Sequence, residues 1–307
     1  MTIRRSGFAL LAALWVTVGL SAMALTGLLV ARGVVNAAEN RIALMRGRWR
    51  AEDCLERARA VIDDALRGGE AMPRPVAGGW DALDRVVAAS PAITDAACDV
   101  TLVPAGVAVD VNAADGEQLL ALLTAVGIGA ARADSMVDAL LDWRDADDIP
   151  RPMGAERDWY RAVGRFSPRN GPLADVRELR RVRGFDETTL PDSVLDAVFT
   201  VEPGRIVWNR APLAVIASVP GIGEEALGRV AERRARDVSL TGMTDLSGSL
   251  SPGARALLDA RYADVQRLTT DRPDAWILSA KRGGAAIEVR LAPAGGRAAI
   301  VRRRTTP

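Results

Sequence analysis

The chain has 307 residues, with 40 basic and 39 acidic side chains and no histidine. The near-zero net charge provides no overall field that would attract nucleic acid or an anionic membrane, so it favours protein partners. The absence of histidine excludes Ser-His-Asp and Cys-His nucleophiles and His-ligated zinc. Cys54 and Cys98 are the only cysteines. They are too few for a Cys-only zinc site and leave two alternatives, one disulfide in an oxidising compartment or two unpaired buried thiols.

The first predicted element is an uncharged apolar run, Phe8–Ala31, directly behind the segment Arg4-Arg5-Ser6-Gly7. At about 1.5 Å per residue this run is long enough to cross a bilayer as a helix. It is too long for the apolar region of a secretory signal peptide, so we expect a retained anchor. Because the basic residues precede the run, the short N-terminus is predicted to be cytoplasmic and the rest of the chain extracytoplasmic.

The helical pattern continues beyond the apolar run. Apolar residues recur at steps of three and four as far as Leu66, and Gly68-Gly69 then supplies a stop signal. We therefore predict one long stem helix that ends near Arg67, with its second half offering an apolar stripe to a globular domain. A loop is predicted at Pro73–Gly79, followed by a short helix at Trp80–Ala89.

Strands are predicted on both sides of a central helical block. Cys98–Val103 and Val107–Val111 alternate well enough to form a hairpin. Three C-terminal segments separated by glycine-rich turns predict an antiparallel meander: Ala275–Lys281, Ala286–Leu291 and Ala298–Arg302. A sheet packed on the apolar stripe of the stem helix would bury both surfaces.

The central block contains an internal repeat. Asp110–Arg144 and Val207–Asp237 each have an Asn near the start and two helices joined by a Gly-Ile-Gly turn, at Gly127–Gly129 and Gly221–Gly223. The glycines permit a tight turn between helices, and the pattern resembles a helix-hairpin-helix motif. A third, degenerate copy is predicted at Leu173–Asp186.

Helix-hairpin-helix turns in other families point backbone N–H groups at DNA phosphates. A membrane-tethered DNA receptor is therefore an alternative function. Nearby arginines suit phosphate contacts in the second repeat, whereas acidic residues beside the first repeat would repel a phosphate backbone. The arginines are Arg229, Arg233, Arg234 and Arg236, and the acidic residues are Asp134, Asp138, Asp142 and Asp145.

An acidic segment follows the first repeat. If Asp145 is counted as position one, Asp147 falls at three and Glu156 at twelve, the carboxylate spacing of a calcium loop. Ile149 and Pro150 replace the expected ligand and glycine, so the segment is not an EF-hand. Oxygen-only ligands favour calcium over zinc, and the alternative is a solvated acidic loop. The candidate ligands are Asp142, Asp145, Asp147 and Glu156, with Asp148 and Asp158 as further candidates.

The junction Ser6-Gly7-Phe8 behind a basic leader resembles the start of a type IV prepilin or pseudopilin. In that family a dedicated prepilin peptidase cuts after the glycine, so the resemblance implies processing between Gly7 and Phe8. Most members carry Glu at the fifth mature position, where this chain has Ala12. That departure resembles the K-type minor pseudopilin of the type II secretion system. The alternative is an ordinary signal-anchor helix.

The segment DWRDADDIPRPMGAERDWY, with Asn170-Gly-Pro and Val176–Phe185 after it, is similar to the helical insertion of K-type subunits. The resemblance implies an α+β fold: a transmembrane stem helix packed on an antiparallel sheet, with an inserted all-α domain. The implied divisions are a prepilin-type leader (1–7), the transmembrane half of the stem (8–31), its extracytoplasmic half (32–67), the first part of a pilin-like domain (68–109), the helical insertion (110–258) and closing strands (259–307).

The resemblance also implies a function. The protein would be a minor pseudopilin at the tip of the pseudopilus. It would initiate assembly and support export across the outer membrane, with no enzymatic activity. The implied partners are the I- and J-type minor pseudopilins, prepilin peptidase and the inner-membrane platform. The implied location is the inner membrane, with a single pass and a periplasmic bulk, and the helical insertion of the family is associated with bound calcium.

Overall fold

The computed structural model describes residues 6–68, 79–90, 93, 98–282 and 284–306, with side chains from Leu10 to Thr305. Helix α1 runs without a break from Ser6 to Leu66, as the stem prediction requires. Within the described ranges it is the one helix long and apolar enough to cross a membrane. Residues 1–5 of the predicted leader and most of the predicted loop at Pro73–Gly79 lie outside the described residues.

The C-terminal half of α1 packs against a four-stranded antiparallel sheet. The strands are β1 (Asp99–Pro104), β6 (Trp276–Arg282), β7 (Ala285–Ala294) and β8 (Arg297–Thr306), in the order β1-β6-β7-β8. Along β7 every second side chain from Ala285 to Leu291 is buried, because successive residues of a strand face opposite sides. Helix α1 contributes Leu55 and Ile62 to this core, so the predicted meander and its packing on the stem are present.

A short segment before β1 closes the end of this core. It comprises a 3-10 helix at Gly79–Ala82 and α2 at Leu83–Ala89, close to the predicted helix. The indole of Trp80 donates to the Pro273 carbonyl, and the indole of Trp276 donates to the Trp80 carbonyl. These two bonds satisfy the polar atoms of the buried Trp276 ring and the half-buried Trp80 ring, and they fix the segment against β6.

Cys54 and Cys98 form a disulfide with a Cα–Cα distance of 5.7 Å. Of the two alternatives left open by the sequence, the structure therefore has the bridge. It joins α1 to the residue that precedes β1, and Cys54 is buried in the core between helix and sheet. The stem and the sheet are thus linked covalently as well as by packing.

The predicted hairpin between Cys98–Val103 and Val107–Val111 is wrong. Strand β1 pairs with β6 from the far end of the chain, while β2 (Val109–Asp110) turns away and pairs in parallel with β3 (Phe199–Thr200). Alternating burial reports which face of a strand is covered and does not identify its neighbour. The segment after β1 instead carries the chain out of the sheet and into the helical insertion.

The helical insertion consists of two modules that we name module one (109–200) and module two (206–270). Module one contains β2, α3 (Gly116–Ala125), α4 (Ala130–Arg144), α5 (Arg157–Ala162), a 3-10 helix (Val176–Arg181), α6 (Asp192–Val198) and β3. Module two contains β4 (Ile206–Val207), α7 (Leu213–Ala217), α8 (Glu224–Ala235), α9 (Met243–Ser247), α10 (Pro252–Ala260), α11 (Tyr262–Leu268) and β5 (Thr269–Thr270). Their buried side chains form one continuous cluster.

The two modules use equivalent hydrogen bonds. In module one the Asn112 amide exchanges two bonds with the backbone of Leu173, and in module two Asn209 does the same with Leu240. Arg144 donates to the backbone carbonyls on both sides of Asn112, and Arg234 repeats this arrangement around Asn209. The acceptors are Val111 and Ala114 in module one, and Trp208 and Ala211 in module two.

The predicted third repeat is part of module one and is not a separate copy. Leu173 pairs with the asparagine of module one as Leu240 pairs with that of module two. The segment Leu173–Asp186 is therefore the closing half of module one. The predicted end of the insertion at residue 258 also falls inside α10, whose Leu258 lies in the insertion core together with Val265. The insertion continues to Thr270.

Candidate metal site in the helical insertion

Three of the predicted carboxylates meet after the end of α4. One oxygen from each of Asp145, Asp147 and Glu156 lies within 4.8 Å of the other two. Asp145 caps the C-terminus of α4, and its N–H donates to the Leu141 carbonyl. Glu156 precedes α5. We name this group the carboxylate cluster.

Glu156 is the most constrained member of the carboxylate cluster. It is only 4% exposed, and among the described residues neither of its carboxylate oxygens has a hydrogen-bond partner. Oδ1 of Asp145 is likewise buried and unpaired. Burial, with smaller contributions from Asp142, Asp145 and Asp148, raises the pKa of Glu156 to about 7, against a lowering by the backbone N–H of Arg157. Buried carboxylate oxygens without donors are costly, and a hard cation would satisfy them.

Asp142 is held differently from the other three predicted ligands. Its side chain is fully buried and accepts hydrogen bonds from the Arg151 backbone and from Arg151 Nη1, the latter at 2.7 Å. The same Nη1 lies 2.5 Å from Asp145 Oδ2. A Cβ at Gly154 would lie 1.9 Å from Asp142 Oδ2, so only glycine fits there. The carboxylate cluster does not include Asp142, which fixes the loop through Arg151.

The two further candidate ligands also have other partners. Asp148 pairs with Arg157 at 3.2 Å and accepts from the Asn170 amide at 3.0 Å. Asp158 is exposed and pairs with Arg161 at 3.0 Å. Arg151 is the residue that the sequence analysis missed, and its position inside the acidic run was the available signal. An arginine within a run of carboxylates has ion-pair partners on both sides.

A cavity of about 640 Å³ lies beside the carboxylate cluster and is lined by eleven residues between Asp148 and Arg161, Glu156 among them. Tyr160 supports it from below, with its ring in edge contact with Trp143 and Trp159. The Tyr160 hydroxyl accepts from the Arg183 N–H, and the Arg183 guanidinium donates to the Gly154 carbonyl. These contacts hold the loop to the module core, and of the three residues in the carboxylate cluster only Glu156 lines the cavity.

The arginines predicted to contact DNA are engaged within the protein. Arg233 makes two hydrogen bonds of 2.7 Å to Asp245, and Arg234 is directed inward onto backbone carbonyls. Arg229 and Arg236 both pair with Glu232. The second glycine turn is itself covered, because a Cβ at Gly221 would lie 2.6 Å from Arg261 Cβ. These contacts weigh against DNA binding.

We accordingly expect no DNA binding. In a gel-shift assay with the fragment 32–307, about 10 µM protein in about 50 mM salt should leave duplex DNA unshifted, because paired arginines release few counterions. The contrary result would be micromolar binding that disappears between about 50 and 200 mM salt and weakens in Arg236→Ala. That outcome would favour the DNA receptor.

The predicted processing and assembly residues lie at the start of α1. Gly7 and Phe8 are within the helical backbone that begins at Ser6. Ala12 is exposed on the surface of the helix, within a stretch whose large apolar side chains are also exposed, including Leu11 and Trp15. No described residue of the chain covers this surface, as expected for a helix that contacts lipid or other helices.

Comparisons with known proteins agree with this architecture. Residues 100–192 match the family model for the type II secretion system (T2SS), protein K. The chain is 31% identical over 195 residues to the type II secretion system protein K of Dickeya chrysanthemi. That alignment covers 57% of this chain and 52% of the relative, so it spans about half the length of the curated protein.

A solved structure extends the fold comparison to most of the chain. One chain of the crystal structure of the GspK-GspI-GspJ complex from the enterotoxigenic Escherichia coli type 2 secretion system superposes with a TM-score of 0.60 and 15% identity. The superposition covers 88% of this chain and 99% of that chain. The two chains therefore share a pilin-like fold with a stem helix, a sheet and a helical insertion. Residues 100–192 match the protein K family model, and the resemblance to K-type minor pseudopilins is confirmed.

Proposed function

We propose that the protein is a minor pseudopilin of the type II secretion system. The observation that carries the proposal is the order of elements, in which a helical insertion of two modules interrupts a sheet packed on a membrane-length stem. The stem would lie in the inner membrane with its N-terminus in the cytoplasm and its bulk in the periplasm. The disulfide between Cys54 and Cys98 suits an oxidising compartment. No catalytic activity is expected.

A tip position is supported by Ala12. Helical filaments grow through head-to-tail contacts that do not close on themselves. Most members of the family carry a carboxylate at this position, and a carboxylate in a bilayer requires a partner, which a neighbouring subunit would supply. A subunit with Ala12 therefore lacks its half of such a contact. The subunit would therefore initiate a fibre and would not continue it on its free side.

The structural neighbour is one member of a complex of GspK, GspI and GspJ, so we propose I- and J-type minor pseudopilins as partners. Prepilin peptidase and the inner-membrane platform would act on the chain before assembly. An exposed apolar stripe on α1, formed by Ile42, Met45 and Trp49, recurs at three- and four-residue steps. Such a stripe is suited to packing against other stem helices.

The partner proposal is tested by co-purification. Full-length chain co-expressed in membranes with the I- and J-type subunits of its own secretion system should elute with both in detergent. Trp49→Ala should weaken this association at least about tenfold, whereas Phe166→Ala, at an equally exposed ring on module one, should leave it unchanged. Elution of the chain alone, while the I- and J-type subunits remain together, would contradict the proposal.

We also propose that the carboxylate cluster holds calcium. Asp145, Asp147 and Glu156 would supply the oxygens, and the bound ion would neutralise three carboxylates that otherwise repel one another. The unpaired buried oxygens of Glu156 and Asp145 support this choice. Asp142 would act indirectly by holding Arg151 against Asp145. An extracytoplasmic site can work at micromolar to millimolar affinity because the surroundings supply the ion.

A further inference from the structure

The structure contains two units with separate hydrophobic cores. We name α1, α2 and the four-stranded sheet the stem-sheet unit, and the other unit is the helical insertion. The buried apolar side chains of the two units form two clusters, and no described residue belongs to both. The helices and strands of each unit pack mainly on others of the same unit. An interface that is not large and hydrophobic permits two domains to move relative to each other.

The connections between the two units lie at a single point, which we name the junction. The chain enters the insertion after β1 and returns before β6, and the Ala105 N–H of the first connection donates to the Ala275 carbonyl of the second at 2.8 Å. The segment between the modules passes the same point, where a Cβ at Gly204 would lie 2.9 Å from the Gly106 nitrogen. Because the connections meet there, rotation about the junction is limited only by contacts elsewhere.

Module one contacts the face of the sheet that points away from α1, and it does so through charged side chains. Arg302 and Arg304 are two residues apart on β8, so they point to the same face. Arg302 pairs with Glu202 at 3.0 Å, and Arg304 pairs with Asp175 at 3.3 Å. Arg304 also donates to the Ala174 carbonyl at 3.1 Å. Both arginines remain partly exposed, so dissolved salt can screen these pairs.

Module two contacts the stem-sheet unit through a third arginine, which borders a polar cavity. Arg210 pairs with Asp84 of α2 and donates to the Asp81 carbonyl at 3.0 Å. The cavity, of about 300 Å³, lies between the two units and is lined mostly by polar and charged residues, among them Arg85 and Thr241. Water can enter an interface of this kind. We name the contacts of Arg210, Arg302 and Arg304 the ionic latch.

Two charged groups at the same interface lack partners. Oε2 of Glu202 and Nη1 of Arg290 are buried and have no hydrogen-bond partner among the described residues. Arg290 lies opposite Arg302 in the pairing of β7 with β8, so two guanidinium groups lie side by side on this face. Adjacent like charges and unpaired buried charges both cost free energy. These costs weaken the ionic latch, because both would be relieved if water reached the groups.

We propose that the helical insertion pivots at the junction and is held against the sheet by the ionic latch. Because both modules share one core, the insertion moves as a single body. Raising the ionic strength releases it, since the screening length falls from about 10 Å at about 0.1 M salt to about 3 Å at about 1 M. Screening does not weaken the two hydrophobic cores. This inference is independent of the proposed role in secretion.

The test measures distances between pairs of spin labels by pulsed EPR, in the full-length chain in detergent micelles with the Cys54–Cys98 disulfide intact. The labels are placed on cysteines introduced at three exposed positions, one on α2, one on α4 and one on α10: Ala88→Cys, Asp134→Cys and Asp259→Cys. The pairs that include position 88 report on movement of the insertion against the stem-sheet unit. The pair 134–259 lies within the insertion and reports whether the insertion stays folded as one body.

At about 0.1 M salt all three distance distributions should be narrow. At about 1 M salt both distributions from position 88 should broaden at least about twofold, because the ionic latch is screened, while the 134–259 distribution stays narrow. A triple variant should show the same broadening at about 0.1 M salt: Arg210→Ala, Arg302→Ala and Arg304→Ala. The matched control removes three ion pairs within the insertion and should leave all distributions narrow: Arg161→Ala, Arg229→Ala and Arg233→Ala.

Each of three results would overturn the inference. The first is that both distributions from position 88 stay narrow at high salt and in the triple variant, which would mean that the two units form one rigid body. The second is that the 134–259 distribution broadens as much as the other two, which would mean that the insertion loosens internally and does not pivot. The third is equal broadening in the control variant, which would mean that the effect is not specific to the ionic latch.

Discussion

Replacing Gly106 with Ala should lower the free energy of unfolding by about 4 kcal/mol. Gly106 has a φ of 87°, where an L side chain is strained, and a Cβ there would lie 1.8 Å from the Arg205 carbonyl oxygen. The Gly106 carbonyl also accepts from the Val207 N–H. Gly106 lies where the chain leaves the sheet for module one, and Arg205 lies where the chain passes from module one to module two. Because the clashing atom of Arg205 belongs to the backbone, the clash cannot be relieved by moving one side chain.

Gly127→Ala is the matched control. Gly127 has nearly the same φ, 91°, but a Cβ there meets no described atom within 4 Å. Its cost should be limited to backbone strain of about 1 kcal/mol. Urea denaturation of both variants measures the difference. Equal losses would mean that the close approach of Gly106 to Arg205 does not constrain the fold.

Calcium should raise the melting temperature of the protein by about 5 °C. At a free concentration about 100 times the Kd, binding to the folded state alone adds about 2.7 kcal/mol, and a chain of this size gains about 2 °C per kcal/mol. The measurement is a melting curve with calcium and with chelator. An unchanged melting temperature would mean that the carboxylate cluster is a solvated acidic loop.

Two variants make the calcium test specific. Glu156→Gln should remove most of the calcium-dependent increase, because the deepest ligand loses its charge. In chelator the same variant should melt no lower than wild type, since it removes a buried carboxylate without donors. Asp158→Asn is the matched control, because Asp158 is exposed and pairs only with Arg161 among the described residues. It should behave as wild type in both conditions.

The stability of the calcium-free protein should fall as the pH rises from about 4.5 to about 7. The pKa of Glu156 is raised from its ordinary value of 4.5 to about 7 by burial and by Asp142, Asp145 and Asp148. The folded state therefore binds a proton that the unfolded state has released in this range, and unfolding becomes easier as that proton is lost. The change should be on the order of 2 kcal/mol. Melting curves in chelator that stay flat for wild type, or slope equally for Glu156→Gln, would contradict this account.

The stem and the closing strands could be predicted from sequence because their patterns are local. An unbroken helical pattern gives α1, and alternation around glycine turns gives β6, β7 and β8. The partner of β1 could not be predicted in this way, since β6 follows only after the whole helical insertion. The extent of module two was also missed, because α10 and α11 lie beyond Asp237, where the recognisable internal repeat ends.

Part of the candidate metal site could also be predicted from a local pattern. Residue spacing in a loop brought Asp145, Asp147 and Glu156 together, and spacing is visible in the sequence. The separate role of Asp142 was not visible, because it depends on Arg151 folding back across the end of α4 and on the close approach of Gly154. These are tertiary contacts, and no local rule specifies them.

If this chain is a pseudopilin, its mature N-terminus will show it most directly. Mass analysis of the protein from cells with an active prepilin peptidase should find a chain that starts at Phe8, with residues 1–7 removed. Replacing Gly7 with a bulkier residue should leave the precursor uncut. A chain that keeps its leader in the presence of the peptidase, or that still matures to Phe8 when Gly7 is replaced, would contradict the account and leave an ordinary signal anchor.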